Sequence, residues 1–153
     1  YVNMPNGLYK TKTDQEGYFR FDLKIKQALK PGYQPVLLSH KNGKLQTECN
    51  LYVVPYNTLL GIISDFDDTV IVSNVNDKMK LLSNTFTKNY TQREVVNGVA
   101  EFYKIQLQQN FQPDLAPLIF ITGSPRQIQK DIKNFLDLHQ FPARVIITKK
   151  LSG

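Results

Sequence analysis

The hydrophobic pattern of this chain changes character at Pro55-Tyr56-Asn57, and this change limits the available folds more than any other feature. Before it, apolar and polar residues alternate, which is typical of strands with one buried face. After it, short continuous apolar runs alternate with helical stretches, which is typical of strands buried on both faces of a parallel sheet. The sequence therefore predicts a β-rich domain over residues 1–57 and an α/β domain over residues 58–153.

Two hairpins are predicted in the first domain. Residues 19–26 alternate strictly between apolar and charged side chains, which predicts a strand whose partner is residues 8–12. Residues 36–40 turn at Asn42-Gly43 into an alternating run over residues 45–53, and Asn-Gly is a strong hairpin signal. Four such strands predict a small antiparallel sheet or a partial sandwich.

The second domain is predicted to alternate strands and helices. The predicted strands are residues 59–64, 118–121 and 145–147, and the predicted helices are residues 78–86, residues 99–109 and one that follows the second strand. Ser124 is expected to be the N-cap of that last helix, with Pro125 at its first position. Because ligands gather at the carboxyl ends of parallel strands, the residues that follow the first two strands are the candidate site.

Charge and composition narrow the classes of function. The chain has 19 Lys and Arg against 13 Asp and Glu, a formal net charge of +6 that favours anionic partners. No basic run exceeds two adjacent residues, so we do not expect a nucleic-acid partner. No apolar stretch is long enough for a membrane helix, which predicts a soluble protein or one bound peripherally to an anionic membrane surface. Cys49 is the only cysteine, so no internal disulfide can form, and it is expected to be a small buried residue of a strand.

Three carboxylates follow the first apolar run of the second domain. Asp65, Asp67 and Asp68 lie within four positions, and such crowding costs stability unless a cation is present. A turn with a helix cap is the structural alternative, but the end of a strand in a parallel sheet is where a site is expected. An EF-hand loop is excluded by spacing, because its glycine and its final glutamate would fall on Val70 and Asn76.

The run Asp65-x-Asp67-x-Thr69 resembles the first motif of the haloacid dehalogenase superfamily of phosphotransferases. The resemblance implies that Asp65 is the nucleophile that forms an aspartyl-phosphate and that Asp67 is the acid/base. It implies Mg²⁺ held by the Asp65 carboxylate and the Asp67 backbone carbonyl, with Thr69 bracing the loop. Thr122, at the end of the next central strand, matches the second motif, whose hydroxyl binds the phosphoryl group.

Several further stretches are similar to the catalytic domain of actin-patch-type phosphatidate phosphatases. These stretches are residues 61–65, 67–69, 84–86, 96–103 and 122–127. The resemblance implies a haloacid-dehalogenase-like parallel sheet preceded by a β-rich segment, and a phosphorylated lipid, phosphatidate, as substrate. The residues expected to bind phosphate are Phe66, Thr69, Gly123, Ser124 and Arg126. Arg126 is equally compatible with a solvated helix arginine.

Two departures from the superfamily pattern keep a second hypothesis open. The acidic pair of the fourth motif is absent, because no Asp or Glu follows Asp137, and Lys149 and Lys150 are only candidates for the lysine of the third motif. The chain is therefore expected to be a piece whose α/β domain is incomplete at the C-terminus, and to bind Mg²⁺ weakly and be poorly active on its own. The alternative to a Mg²⁺-dependent phosphomonoesterase is a catalytically incomplete phosphatase-like module that binds anionic lipid or a protein partner. The oligomeric state has no sequence signal.

Overall fold

The computed structural model describes residues 1–4, 7–15, 17–25, 27–41, 43–67, 69–71 and 94–149. The chain divides into two compact units, Tyr1–Pro55 and Tyr56–Gly153. The first unit is an antiparallel sheet and the second is an α/β unit with a parallel sheet. This confirms the predicted fold class, an α/β fold with a small β domain.

The antiparallel sheet has four strands in the order β2-β1-β3-β4. The strands are β1 (Val2–Met4), β2 (Gly7–Tyr9), β3 (Gly32–Ser39) and β4 (Gln46–Val53). The β3–β4 pair is the predicted hairpin, and it is in register from Gly32 opposite Val53 to Ser39 opposite Gln46. Gly43 has a φ of 68° in the turn, a conformation that glycine adopts without steric cost. Val2, Met4 and Val36 form the buried core of this unit.

The strand predicted over residues 19–26 is wrong for the part of it that the structure describes. Residues 19–25 pair with no strand in the described part of the chain. Residues 19–25 are therefore irregular, with Phe21 packed on the core of the sheet while Phe19 remains 46% exposed. Residues 8–12 are not its partner either, since β2 pairs with β1.

The parallel sheet has three strands in the order β5-β6-β7, joined by helical connections. In chain order the elements are β5 (Ile62–Asp65), α1 (Val99–Leu107), β6 (Leu118–Pro125), α2 (Gln129–Leu138) and β7 (Val145–Lys149). Two short 3₁₀ turns, Pro113–Leu115 and Arg126–Ile128, precede β6 and α2. The three predicted strands and the predicted helices at 99–109 and after β6 are confirmed, and the helix predicted over residues 78–86 lies outside the described residues.

Both helices pack on the same face of the parallel sheet. Tyr103 of α1 and Phe135 of α2 belong to one buried cluster with Phe120 of β6. The opposite face carries exposed isoleucines: Ile121 of β6 is 45% exposed, and its neighbour in register, Ile147 of β7, is 49% exposed. Two successive crossovers that advance in one direction along a sheet place their helices on one side, because such crossovers are right-handed.

Asn110 joins the segment before β5 to the end of α1. Its side-chain oxygen accepts from the backbone N–H groups of Leu59 and Leu60 at 2.8 and 3.0 Å. Its amide nitrogen donates to the carbonyls of Leu60 and Leu107 at 2.9 and 3.1 Å. This 7% exposed side chain therefore pairs with four backbone groups.

Among the helices that the structure describes, none combines the length and the apolar character that crossing a membrane would require.

Candidate functional site

The loop that follows β5 is anchored in the core. Phe66 comes directly after the last strand residue, its side chain is 0% exposed, and its N–H donates to the Ile121 carbonyl at 3.0 Å. Val70, also 0% exposed, closes the turn by donating its N–H to the Phe66 carbonyl at 3.2 Å. Asp67 lies between these two anchors and is half-buried. Phe66 and Val70 thus tie the segment after β5 to the core.

A hydrogen bond joins the ends of β5 and β6. The Thr122 hydroxyl donates to Asp67 Oδ2 at 2.7 Å and accepts the N–H of Ser124 at 3.0 Å. Thr122 is 4% exposed and Asp67 is half-buried, so the bond is partly shielded from water. The structure therefore brings together two of the three predicted catalytic residues, which are 55 positions apart in the sequence.

Asp65 is the last residue of β5 and its side chain is exposed. The preceding residue, Ser64, directs its hydroxyl toward α1, where the Ser64 and Tyr103 hydroxyl oxygens are 2.7 Å apart. Because side chains alternate along a strand, Asp65 points to the opposite face, the face that carries Ile121. The Ser64 hydroxyl also donates to the Asp65 carbonyl at 3.0 Å, so the Tyr103 hydroxyl is the donor to Ser64.

This relay from Tyr103 through Ser64 to the Asp65 backbone was missed by the sequence analysis. Ser64 and Tyr103 both lie in stretches that carried the family resemblance, but their polar groups had no assigned partner. The available signal was the Ser64 hydroxyl, the single polar side chain of the predicted strand 59–64. A hydroxyl group in such a strand needs a hydrogen-bond partner, which a neighbouring helix can supply.

Ser124 is not the N-cap of a helix, in contrast to the prediction. β6 continues through Ser124 to Pro125, which pairs with Lys149 of β7, and α2 begins only at Gln129. No side chain caps that helix. The reason is local: the Thr122 hydroxyl takes the Ser124 N–H, and Pro125 has an extended backbone with φ −68° and ψ 153°.

The residues predicted to bind phosphate lie in different surroundings. Ser124 is 8% exposed, whereas Thr69 and Arg126 are exposed. The Phe66 N–H is engaged with the Ile121 carbonyl, and its phosphate-binding role stays a prediction. Gly123 is exposed, and a Cβ placed there would meet no atom within 4 Å. Nothing in the described fold therefore requires glycine at position 123.

Gly61 differs from Gly123 in this respect. A Cβ on Gly61 would lie 2.9 Å from Cγ of Pro117, at the point where Ile62 N–H bonds to the Pro117 carbonyl at 2.8 Å. The glycine that begins the stretch 61–65 therefore serves the close approach of the segments leading into β5 and β6.

Oxygen donors for a metal are present at the end of β5. The carboxylate of Asp65 is exposed and the backbone carbonyl of Asp67 follows two residues later; both are hard oxygen ligands, the class that Mg²⁺ prefers. Protein Mg²⁺ sites typically use one or two carboxylates completed by waters and substrate phosphates, so this donor set fits. Across the described residues, no group of three or more His, Cys, Asp or Glu side chains is placed to hold a metal ion. Asp68 lies outside the described residues.

Comparison with protein families finds one match that covers more than half of the chain. The family is described as the catalytic domain of phosphatidate phosphatase APP1, and it matches residues 60–153. These residues contain β5, β6, β7 and both helices, and therefore every site residue discussed above. Comparisons with curated proteins and with solved structures give no significant match.

Proposed function

The chain belongs to the family of the phosphatidate phosphatase APP1 catalytic domain, and on this premise we propose that it hydrolyses phosphatidate to diacylglycerol with Mg²⁺, through an aspartyl-phosphate on Asp65. The observation that carries the proposal is the 2.7 Å hydrogen bond between Thr122 and Asp67. It joins the ends of two adjacent parallel strands, where ligands bind in open α/β sheets.

The first chemical step forms a bond between an Asp65 carboxylate oxygen and phosphorus. The bond from phosphorus to the leaving diacylglycerol oxygen breaks, and Asp67 donates its proton to that oxygen. In the second step Asp67 accepts a proton from water as the water oxygen attacks phosphorus. The bond from phosphorus to Asp65 then breaks, which releases inorganic phosphate and regenerates both side chains.

The surroundings of the two carboxylates support these different roles. Asp65 is exposed, as a group that must reach a substrate has to be. Asp67 is half-buried and held by the Thr122 hydroxyl, which fixes the direction of its carboxyl group. A group that transfers protons in two opposite steps benefits from such a fixed position, since its reach to the proton determines its efficiency.

Asp65 and the Asp67 carbonyl are the residues that would hold Mg²⁺. When bound, the cation supplies positive charge that offsets the repulsion between an anionic nucleophile and an anionic phosphate. The protein's own contribution is to hold the backbone at both metal ligands. The relay from Tyr103 through Ser64 holds the Asp65 backbone, and the Phe66 N–H holds the backbone next to Asp67.

A second candidate function is a phosphatase-like module that binds anionic lipid or a protein partner without turnover. The observation that favours it is the lack, among the described residues, of a cluster of three metal-ligating side chains. The two functions differ in one measurable property, the release of inorganic phosphate.

The experiment measures inorganic phosphate released from phosphatidate and from a water-soluble phosphomonoester, with Mg²⁺ and with a chelator. We expect slow release from both substrates with Mg²⁺ only, because this chain is expected to bind Mg²⁺ weakly, and its loss in Asp65→Asn together with the loss of trapped phosphoenzyme. Asp114→Asn is the matched control, because it removes the same charge at an exposed position in the 3₁₀ turn before β6. No release from either substrate by the unmodified chain would favour the binding module, and release that persists in Asp65→Asn would refute the covalent mechanism.

Gly123→Ala provides a second test that separates activity from folding. The added methyl group meets open space in the protein, so we expect an unchanged midpoint of urea unfolding. A phosphate held against the backbone here would meet the methyl group, so we expect a higher KM for the phosphomonoester. An unchanged KM would remove Gly123 from the binding site.

A further inference from the structure

A groove lies within the β unit, and none of the residues assigned to catalysis lines it. Its cavity volume is about 860 Å³, in the range of sites that hold small organic ligands. The segment after β2, the irregular residues around Phe19, and the turn between β3 and β4 line it. It therefore contains the aromatic stretch whose alternating pattern wrongly predicted a strand.

The rim of the groove is positively charged. Lys10, Lys12 and Lys41 line it and are exposed, and no Asp or Glu is among the described residues that line it. Among the described residues, no ion pair engages Lys12 or Lys41. Three ammonium groups without a lining carboxylate favour an anionic ligand.

The groove also has an apolar part. Phe19, Leu38 and Leu45 line it, with Leu45 71% and Phe19 46% exposed. The Phe19 ring stacks edge-to-face on Phe21 with centroids 5.7 Å apart, so an aromatic pair forms one wall. Large apolar side chains grouped in an open groove are typical of a surface that an apolar ligand covers.

We propose that this groove binds an anionic phospholipid at a membrane surface. Its lysines contact the headgroup phosphate, and Phe19, Leu38 and Leu45 contact the glycerol backbone and the upper acyl chains. The combination of a cationic rim and apolar walls matches an amphiphile with an anionic end. The choice of a lipid over an acidic peptide rests on the proposed function, because the substrate of the second unit resides in a bilayer.

The test measures cosedimentation of the full chain with vesicles of phosphatidylcholine, alone or mixed with phosphatidylglycerol. Phosphatidylglycerol is a phosphodiester, so the proposed phosphomonoesterase site has no substrate in these vesicles. We expect binding to the mixed vesicles only, weakened by added salt because the contact is partly electrostatic. Equal binding to both vesicle types, or binding to neither, would overturn the proposal.

The lysine variant is Lys10→Gln with Lys12→Gln and Lys41→Gln. A lysine near an anionic surface contributes about fivefold to affinity, so we expect a roughly 100-fold loss for three. The control replaces three exposed lysines outside the groove, at positions 24, 30 and 130, with Gln, and thereby lowers the net charge equally. Equal loss in the two triple variants would show attraction by net charge alone and would refute a site.

An apolar pair of variants distinguishes a lipid from a free anion or an acidic peptide. Leu45→Gln is expected to weaken binding to the mixed vesicles about tenfold, while Leu8→Gln, at an exposed leucine outside the groove, is not. If both leucine variants bind like the unmodified chain, the groove recognises charge only and the lipid assignment is wrong. Hydrolysis of the water-soluble phosphomonoester is measured in parallel, and we expect it to be unchanged in all groove variants. A variant that loses vesicle binding but keeps hydrolysis has lost the groove alone. If the proposed function is wrong, hydrolysis is absent while vesicle binding remains.

Discussion

Thr122→Val is the most informative single substitution in the site. Valine has nearly the shape of threonine, so the buried volume at this 4% exposed position is kept and only the hydroxyl is removed. Two interactions are lost with it: the bond donated to Asp67 Oδ2 at 2.7 Å and the bond accepted from Ser124 N–H at 3.0 Å.

The expected cost in stability follows from these two bonds. The Ser124 N–H is left buried without its acceptor, which costs about 1–3 kcal/mol. The Asp67 carboxylate loses a donor but is half-buried, so water can partly replace the hydroxyl and the cost is about 1 kcal/mol. We therefore expect the free energy of unfolding to fall by about 2–4 kcal/mol, which in a unit of this size lowers Tm by about 10–20 °C.

The expected cost in activity is separate from the cost in stability. At a temperature where the variant is folded, kcat/KM for a water-soluble phosphomonoester should fall about 10²-fold, because the direction of the Asp67 carboxyl group is no longer fixed. Urea unfolding followed by circular dichroism gives the stability, and a phosphate-release assay gives the rate. Thr122→Ser is the control, because it keeps the hydroxyl and should retain most of both quantities. If Thr122→Val unfolds at the same urea concentration as the unmodified chain and keeps its rate, the bridge between the two strand ends has no energetic role.

Three further predictions test other features of the structure. Asp67→Asn should lower the rate of phosphate release by about 10²–10⁴-fold with an unchanged far-ultraviolet spectrum, and a rate within a few-fold of the original would remove Asp67 from proton transfer. Asn110→Leu should lower the free energy of unfolding by about 3 kcal/mol in urea titrations, because it leaves the N–H groups of Leu59 and Leu60 without their acceptor. Asn134→Leu, on the exposed side of α2, should not lower it. Burial raises the pKa of the Cys49 thiol, so less thiolate is present at a given pH and iodoacetamide should alkylate the folded chain more slowly than the urea-unfolded chain. Equal alkylation rates would show that β4 does not shield this thiol.

The strands of the parallel sheet could be predicted because their signal is local. Residues 118–121 and 145–147 are continuous apolar runs, which are typical of strands in a parallel sheet. The burial on both faces that such runs predict is not seen in the described residues, because Ile121 and Ile147 are about half exposed on the face opposite the helices. The β3–β4 hairpin was predictable for the same reason, since Asn42-Gly43 is a turn signal between two alternating runs. In both cases the residues that determine the element lie within it.

The wrong predictions arise where a residue distant in the sequence determines the local structure. Residues 19–25 have a strand pattern, but an alternating pattern specifies no pairing partner, and Phe21 packs on the core of the sheet without pairing in it. Three-residue strands such as β1 are too short for a periodic pattern to identify. Ser124 has the residue type of an N-cap, but its N–H is taken by Thr122 and the strand continues. The motif spacing predicted Asp67 and Thr122 as site residues, whereas their direct hydrogen bond depends on the register of β5 against β6.

The anchoring of Phe66 in the core has a consequence for motion at the site. Phe66 packs edge-to-face against both Phe120 and Phe135, with ring centroids 6.0 and 5.9 Å away. Local opening of the turn that carries Asp67 would have to withdraw this ring from the core, and so would cost nearly as much as opening the core itself. Phe66 therefore does not move independently of the sheet, and its amide hydrogen exchange should be as slow as at the centre of β6. The position of the backbone next to Asp67 is thus set when the unit folds.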